Sequence, residues 1–305
     1  MEFFVQQLVN GLTLGSVYAL IALGYSMVYG ILKLLNFAHG EVYMVGAFIG
    51  YGVLTMAGGA ADPVLPAAVL VPLMFLAAMI GSGLLGVAIE RFAYRPLRNA
   101  PRIAPLISAV GVSFFLQAAA LLLFTARIRN YDTPELIPFS VGVEVGPLRI
   151  SLVRILVIVT AVVLMVALTL LVSRTRLGKA MRATAYDREA AAMMGIDTDR
   201  VIAATFFIGS VLAGAAGVMI GLVFSRVFHF MGFLAGLKGF TAAVVGGIGN
   251  IPGAMVGGLL IGLAEAYAAA YLSSRFSELV VFTILIGVML VRPSGLFGTP
   301  ALQKV

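Results

Sequence analysis

Eight stretches of this sequence reach or approach the length of a membrane-spanning helix with almost no charge: 7–32, 40–58, 66–89, 103–125, 150–173, 201–224, 252–272 and 277–291. A helix needs about 20 apolar residues to cross the hydrocarbon core of a bilayer. The runs are apolar on every face, as from Ile155 to Val172. That excludes a transmembrane barrel, whose strands alternate in segments of about ten residues. The chain is 61% hydrophobic and 11% charged, with mean hydropathy +1.09. A soluble domain has about 45–50% apolar and about 25% charged residues. The apolar runs extend from end to end, so residues 1–305 read as a single transmembrane domain. The expected fold class is an all-α integral membrane protein, a bundle of about 8–9 transmembrane helices with broken or re-entrant segments.

There is no cysteine, so neither a disulfide nor a cysteine-ligated metal is possible. The net charge of +7 lies mostly between the apolar runs. This is the pattern of cytoplasmic loops rather than of a nucleic-acid surface. Met1-Glu2-Phe3-Phe4 lacks a basic n-region and a cleavage site, so the first run is expected to be a retained span.

Charge between the runs sets the orientation. The 90–102 gap carries Arg91, Arg95, Arg98 and Arg102, and the 174–200 gap carries Arg174, Arg176, Lys179, Arg182, Arg188 and Arg200. Both belong in the cytoplasm by the positive-inside rule, and two spans separate them. The 126–149 loop, with its mixed charges, then lies outside, as does the N-terminus. Eight spans would leave Arg292 and Lys304 outside. A ninth crossing within 225–251 would bring them in, and a re-entrant loop there is the alternative.

Glycines four apart recur at Gly11/Gly15, Gly46/Gly50, Gly217/Gly221, Gly253/Gly257 and Gly258/Gly262. Such pairs let helix backbones approach closely in lipid. Two clusters interrupt apolar runs, Leu35 to Gly46 and Gly236 to Gly253. Broken helices survive at membrane depth only where protein or a water-filled cavity covers them, and interrupted segments in both halves of a chain point to a transport pathway. Asn36, His39, Glu41, Gly246, Gly247, Asn250 and Glu265 are therefore the candidate pathway residues. Their structural readings are that Asn36, His39 and Glu41 cap the helix that starts near Gly40, that Asn250 beside Pro252 is a turn residue, and that Glu265 pairs with another subunit or faces water. Arg154 snorkels to the outer interface, and Arg226, His229 and Lys238 read as outer-surface charges.

The 174–200 gap predicts two short helices. Leu177, Ala180, Met181 and Thr184 share one face at helical spacing. Asp187 suits the N-cap of a second helix, Arg188 to Met194. Gly195 suits the left-handed position that ends it, with Ile196 in the apolar position that follows. Asp197 or Thr198 then caps the next span. Ala183, Ala185, Ala190, Ala191 and Ala192 form a small outer face suited to docking into a groove on another protein. The other reading is an interfacial connector held on lipid headgroups by its arginines.

The loop T-R-L-G-K-A-M-R-A-T-A-Y-D-R-E-A-A-A-M-M-G-I resembles the coupling loop of permease subunits of branched-chain amino acid ABC importers. The same family is resembled by N-G-L-T-L-G-S-V-Y-A-L-I-A-L-G-Y-S-M-V-Y-G with L-N-F-A-H-G-E-V-Y-M-V-G-A-F, by G-L-K-G-F-T-A-A-V-V-G-G-I-G-N-I-P-G-A-M-V-G-G, and by the ending R-P-S-G-L-F-G. The resemblance covers nearly the whole chain in order, and is to the shorter of the family's two permease types. It implies an all-helical importer fold in the inner (plasma) membrane of a bacterium, with a second permease completing the pathway. It also implies two cytoplasmic ATPase subunits on the coupling loops and a substrate-binding protein outside. Gly178, Arg182, Ala183, Asp187, Glu189, Ala190, Ala191, Gly195 and Ile196 are then the residues that couple to the ATPase.

No G-x-x-x-x-G-K-[ST] run is present, so the chain has no phosphate cradle of its own. It is expected to bind no cofactor and not to be an enzyme. ATP and magnesium belong to the partner subunits. An intramembrane enzyme would need clustered catalytic groups, yet His39 and His229 stand far apart and neither H-E-x-x-H nor G-x-S-x-G occurs. An ion-coupled transporter would place ionisable residues well inside its spans, and this chain has few. Hydrophobic amino acids are the expected substrates; another amino acid, an amide or urea is the alternative.

Overall fold

The computed structural model describes residues 2–98, 100–101, 103–138, 140–145 and 148–298, so Arg102 and Lys304 lie outside the described residues. The elements follow the apolar pattern. In chain order they are α1 (Glu2–Leu32), α2 (His39–Met56), α3 (Ala67–Ile89), α4 (Ile103–Phe124), strand β1 (Arg129–Asn130), the single turn α5 (Thr133–Leu136), the hairpin β2 (Gly142–Val145) and β3 (Leu148–Ser151), and α6 (Leu152–Arg174). Then come α7 (Arg176–Tyr186), α8 (Arg188–Met193), α9 (Thr198–Phe224), strand β4 (Arg226–Val227), α10 (Met231–Gly246), α11 (Ile251–Tyr271) and α12 (Ser277–Val291). Among the described residues, six helices are long and apolar enough to cross a membrane: α1, α3 with its continuation, α4, α6, α9 and α11. The shorter α10 and α12 are apolar too.

The centre of the bundle is α1 and α9. Every residue of α1 from Gly15 to Val28, and of α9 from Leu212 to Leu222, is buried. Small residues make this possible. A Cβ added to Gly262 of α11 would strike the backbone of Gly15, and one added to Gly258 would strike Ala19. On the other side, a Cβ on Gly86 of α3 would strike Ser210 of α9, and one on Gly214 would lie 2.5 Å from the carbonyl oxygen of Ala78. By contrast α4 and α6 are peripheral and expose Phe114, Phe115, Leu122 and Val163. The expected 90–102 loop is shorter than its charges suggested. The α3 helix continues through a π turn (Glu90–Tyr94) and a 3-10 turn (Arg95–Leu97), because Arg98 folds back and pairs with Glu90.

The same arrangement occurs twice, which the sequence reading missed. The α1 helix packs on α11 as α9 packs on α3, and α2 packs on α9 as α10 packs on α1. Gly15-Ser16-Val17 of α1 matches Gly209-Ser210-Val211 of α9. Likewise G-S-G-L-L-G-V-A at 81–88 matches G-G-L-L-I-G-L-A at 257–264. After α1 the chain turns at Lys33 and after α9 at Ser225, both at φ 54°. The two copies run in opposite directions. Asp199, at the start of α9, pairs with Arg95 and Arg98, next to Tyr94 whose hydroxyl donates to the Leu35 carbonyl just past the end of α1.

In each copy the chain doubles back before its next helix begins. Residues 33–38 lead from the end of α1 back to His39, which lies against Gly24. That is eight residues up α1, or about 12 Å at 1.5 Å per residue. Residues 225–230 return in the same way from the far side to α10. The first turns of α2 and α10 thus meet inside the bundle, Gly40 against Gly232 and Gly236. Sequence reasoning read Asn36, His39 and Glu41 as capping the helix that starts near Gly40. The structure places His39 and Glu41 deep inside, because the doubled-back segment carries the start of α2 inward.

The loops agree with the charge pattern on sides. β1 pairs with β4 just beyond the end of α9, and Tyr131 inserts between Gly50 and Gly221. The 126–149 loop is therefore opposite the Arg95–Asp199 cluster. The C-terminal turn is on the cluster's side: Leu296 and Phe297 donate to the carbonyls of Val245 and Gly246, and Gly249 approaches Gly30.

Candidate translocation pathway and coupling surface

Where α2 and α10 meet, Glu41 is 1% exposed. Its Oε1 accepts hydrogen bonds from Gln117 Nε2 at 2.7 Å and Ser113 Oγ at 3.2 Å, both on α4. Its Oε2 has no partner and faces Gly232. Glu41 does not cap its helix: the N-cap is Ala38, with no side-chain hydrogen bond. His39 stacks edge-on against Tyr25, with ring centres 4.9 Å apart. Asn36 accepts from the Tyr94 hydroxyl at 3.1 Å, so it holds the doubled-back segment onto the end of α3.

The other candidate pathway residues lie elsewhere. Gly246 packs against Gly253, and Gly247, at φ 108°, receives Gly298 and Gly295. Asn250 caps α11 through Gly253 N at 3.0 Å and donates to the Phe297 carbonyl at 2.8 Å. These three residues form the seam that binds the R-P-S-G-L-F-G turn to the bundle. Glu265 is taken up within the chain. It bonds Lys238 Nζ at 2.6 Å and the Tyr18 hydroxyl at 2.9 Å. Lys238 is thus not an outer-surface charge; it is buried, and Glu278 stands 3.8 Å away.

The 174–200 segment folds as its cap signals predict. Thr175 caps α7 through Gly178 N at 3.0 Å, Asp187 caps α8 through Ala190 N at 2.9 Å, and Asp197 caps α9 through Arg200 N at 3.1 Å. Gly195 adopts φ 82°, and Ile196 N bonds the Ala191 carbonyl at 3.1 Å. Gly178 packs on the last carbonyls of α6, and Arg182 donates to the Val172 carbonyl. One expectation is corrected. Ala191 does not belong to the outer face, since it is 4% exposed and turned toward the protein. Ala183, Ala185 and Ala190 are half-buried, and Glu189 and Ala192 are exposed. The outward apolar groups are Tyr186, Met193 and Met194, at 95%, 82% and 83% exposure.

Beneath these helices lies an ion cluster. Asp199 holds Arg95 and Arg98, and Arg188 of α8 stands 3.6 Å from it. Arg98 also holds Glu90, and both side chains are almost fully buried. The cluster links α8, the start of α9 and the end of α3.

The profile of the family described as branched-chain amino acid transport system / permease component matches residues 7–290. The chain is 46% identical over 305 residues to the high-affinity branched-chain amino acid transport system permease protein BraD of Pseudomonas aeruginosa, covering 99% of this chain and 98% of the relative. The chain belongs to this permease family. LivH of Escherichia coli K12, described in the same words, is 45% identical with the same coverage. A probable LivH of Methanocaldococcus jannaschii is 26% identical over 92% of this chain and 88% of its own length.

Sequence reading of this permease missed Gln117 and Ser113 as partners of Glu41, and Glu90, Arg98 and Asp199 as a cluster. Opposite charges at 90, 98 and 199 were visible, but the turn that joins them was not. The buried pair of Lys238 and Glu265 leads to a prediction. Lys238→Met leaves a carboxylate without its cation in a place shielded from water, a change that costs about 3–5 kcal/mol. The melting temperature of the purified permease should fall, and Lys238→Met with Glu265→Gln should recover much of the loss. Equal melting of the single and double variants would show that the pair carries no such charge penalty.

Proposed function

We propose that this permease is one of two membrane subunits that together enclose the pathway of an ATP-driven importer for branched-chain amino acids. Two cytoplasmic ATPase subunits engage α7 and α8, and a substrate-binding protein delivers the amino acid from outside. The membrane is the bacterial inner membrane, with lipid around α4 and α6. The observation that carries this reading is the capped α7–α8 element. It presents Tyr186, Met193 and Met194 outward, while the Asp199 cluster fastens it to α3 and α9. A lipid-bound connector has no need of that fastening.

The chain crosses the membrane nine times in this reading, by α1, α2, α3, α4, α6, α9, α10, α11 and α12. Crossing by α10 is supported by its course, from Gly232 beside Glu41 to a turn beside Gly30. It is also supported by the repeat, in which α10 answers to α2. In this cysteine-free chain, single cysteines at Arg91, Glu189 and Arg292 should label only from the cytoplasmic side, and one at Glu135 only from outside. Outside labelling at Arg292 would remove the ninth crossing. The functional reading is tested by reconstituting the permease with its second permease, ATPase subunits and binding protein. ATP-dependent [14C]leucine uptake is expected from the complete assembly and none from this chain alone.

A further inference from the structure

A pocket of about 670 Å³ opens between the outer halves of α3 and α6. Phe75 and Leu76 form one wall, Leu156 and Thr160 the other, and Ile137 and Val141 of the 126–149 loop roof it. The pocket is long and upright. It follows α3 from Ala67 to Leu76 and α6 from Leu152 to Thr160, about 14 Å and about 12 Å at 1.5 Å per residue. One leaflet of hydrocarbon is about 15 Å deep, half of a core of about 30 Å. The pocket therefore spans one leaflet and stops there. Leu76, Val141 and Leu152 at its edge are exposed, so it opens sideways into the bilayer.

The lining and the rim show what would fit. Among the described residues the lining holds no glycine, and its two alanines, Ala67 and Ala68, stand at the outer end. Helices that dock in lipid use small residues to bring their backbones together, so these walls do not suit a helix of another subunit. Thr160 is the one polar side chain along the walls of α3 and α6. The rim is different. Pro72 has no N–H, so the Ala68 carbonyl at the outer end goes without its usual helical donor. Arg149 donates to the Ser140 carbonyl at 2.6 Å, one residue from Val141 of the roof. Its guanidinium is exposed, and Glu144 stands 3.7 Å away. That leaves most of its five donors free. We propose that the pocket seats an acyl chain of an outer-leaflet phospholipid whose phosphate is held by Arg149. The chain fills the leaflet-deep slot, and Arg149 meets the phosphate with its planar fork. A hydroxyl or ammonium of the head group supplies the donor that the Ala68 carbonyl lacks. The lipid is then a wedge that holds the outer loop and α6 onto α3. The proposal rests on α3 and α6 spanning the bilayer with the 126–149 loop outside, and not on what the permease carries.

The test is photolabelling of the complete importer in proteoliposomes that carry a trace of phosphatidylethanolamine with a diazirine partway along one acyl chain. Label should fall on residues 68–76 and 152–160 several-fold more than on Phe115, Leu122 and Leu123 of α4, although these three are more exposed than Leu76. Thr160→Trp fills the slot and should bring its labelling down to the level of α4. Arg149→Glu, on an exposed hairpin, should lower the labelling several-fold, and it decides the matter if Thr160→Trp fails to insert. Equal labelling of the slot and α4 in the wild-type importer overturns the proposal, since that is ordinary contact with the bilayer. So does labelling that Arg149→Glu leaves unchanged. Labelling of the isolated permease that vanishes in the complete importer also overturns it, because another subunit then covers the slot. [14C]leucine uptake by the same proteoliposomes reports the import function separately, so the failure of one reading is not mistaken for the failure of the other.

Discussion

Replacing Gly262 by leucine should remove the folded permease from the membrane, while the same change at Gly287 should leave its level normal. Both positions are glycines in apolar helices. At Gly262 an added Cβ lands on the backbone of Gly15, whereas at Gly287 it meets nothing within 4 Å. The facing atoms at Gly262 are main chain, so no side chain can rotate out of the way. The two helices would have to separate along a seam that includes Gly11, Gly15, Gly258 and Gly262. Overpacking a well-fitted interior typically costs 1–3 kcal/mol and occasionally more, and a rigid backbone-to-backbone contact belongs at the upper end. In lipid the loss is not offset elsewhere, because helix association there depends on close packing rather than on escape from water. The measurement is the amount of monodisperse protein extracted in mild detergent for Gly262→Leu and Gly287→Leu. Equal yields would mean that the α1–α11 seam does not hold the bundle together.

The pair also shows what a sequence can and cannot say about such a fold. Run length located α1, α2, α3, α4, α6, α9, α11 and α12 to within about five residues, because a bilayer leaves few other ways to satisfy a backbone, whereas α10 was left open within 225–251. The caps at Thr175, Asp187 and Asp197 and the turn at Gly195 are local, since donor and acceptor lie three to five residues apart. Asp187, Asp197 and Gly195 were accordingly legible. Glycine spacing marked Gly262, four after Gly258, as a contact and left Gly287 unmarked, but it could not name Gly15 as the partner. The depth of the start of α2 was misjudged for a related reason, although its position in the sequence was right. Residues 33–38 look like an ordinary turn, and only their return to the level of Gly24 shows that Glu41 is deep. Ala191 was misplaced by a rotation of α8. In a six-residue helix with three consecutive alanines, periodicity cannot say which alanine faces inward.

That rotation changes the outcome expected at the coupling surface. Met193→Asp together with Met194→Asp should release the ATPase subunits and abolish uptake while the permease still inserts and folds. Both side chains are more than four-fifths exposed, so the bundle loses little when they change. An interface built on α8 would instead lose two apolar anchors and have to bury two charges. Truncating an anchor residue commonly costs 2 kcal/mol or more. Two anchors replaced by charge should therefore weaken attachment by about a thousandfold. Ala191→Trp should also break coupling, but from within: its side chain faces the bundle, so α8 would be lifted from its seat. Asp187→Ala removes the cap of α8, worth about 0.5–2 kcal/mol, and should give a milder loss. Limited proteolysis separates the two modes. The double aspartate variant should be cut in the 174–200 segment at the rate of the free wild-type permease, and Ala191→Trp faster. Co-purification of the ATPase subunits with the double aspartate variant at the wild-type level would place the docking surface elsewhere than on α8.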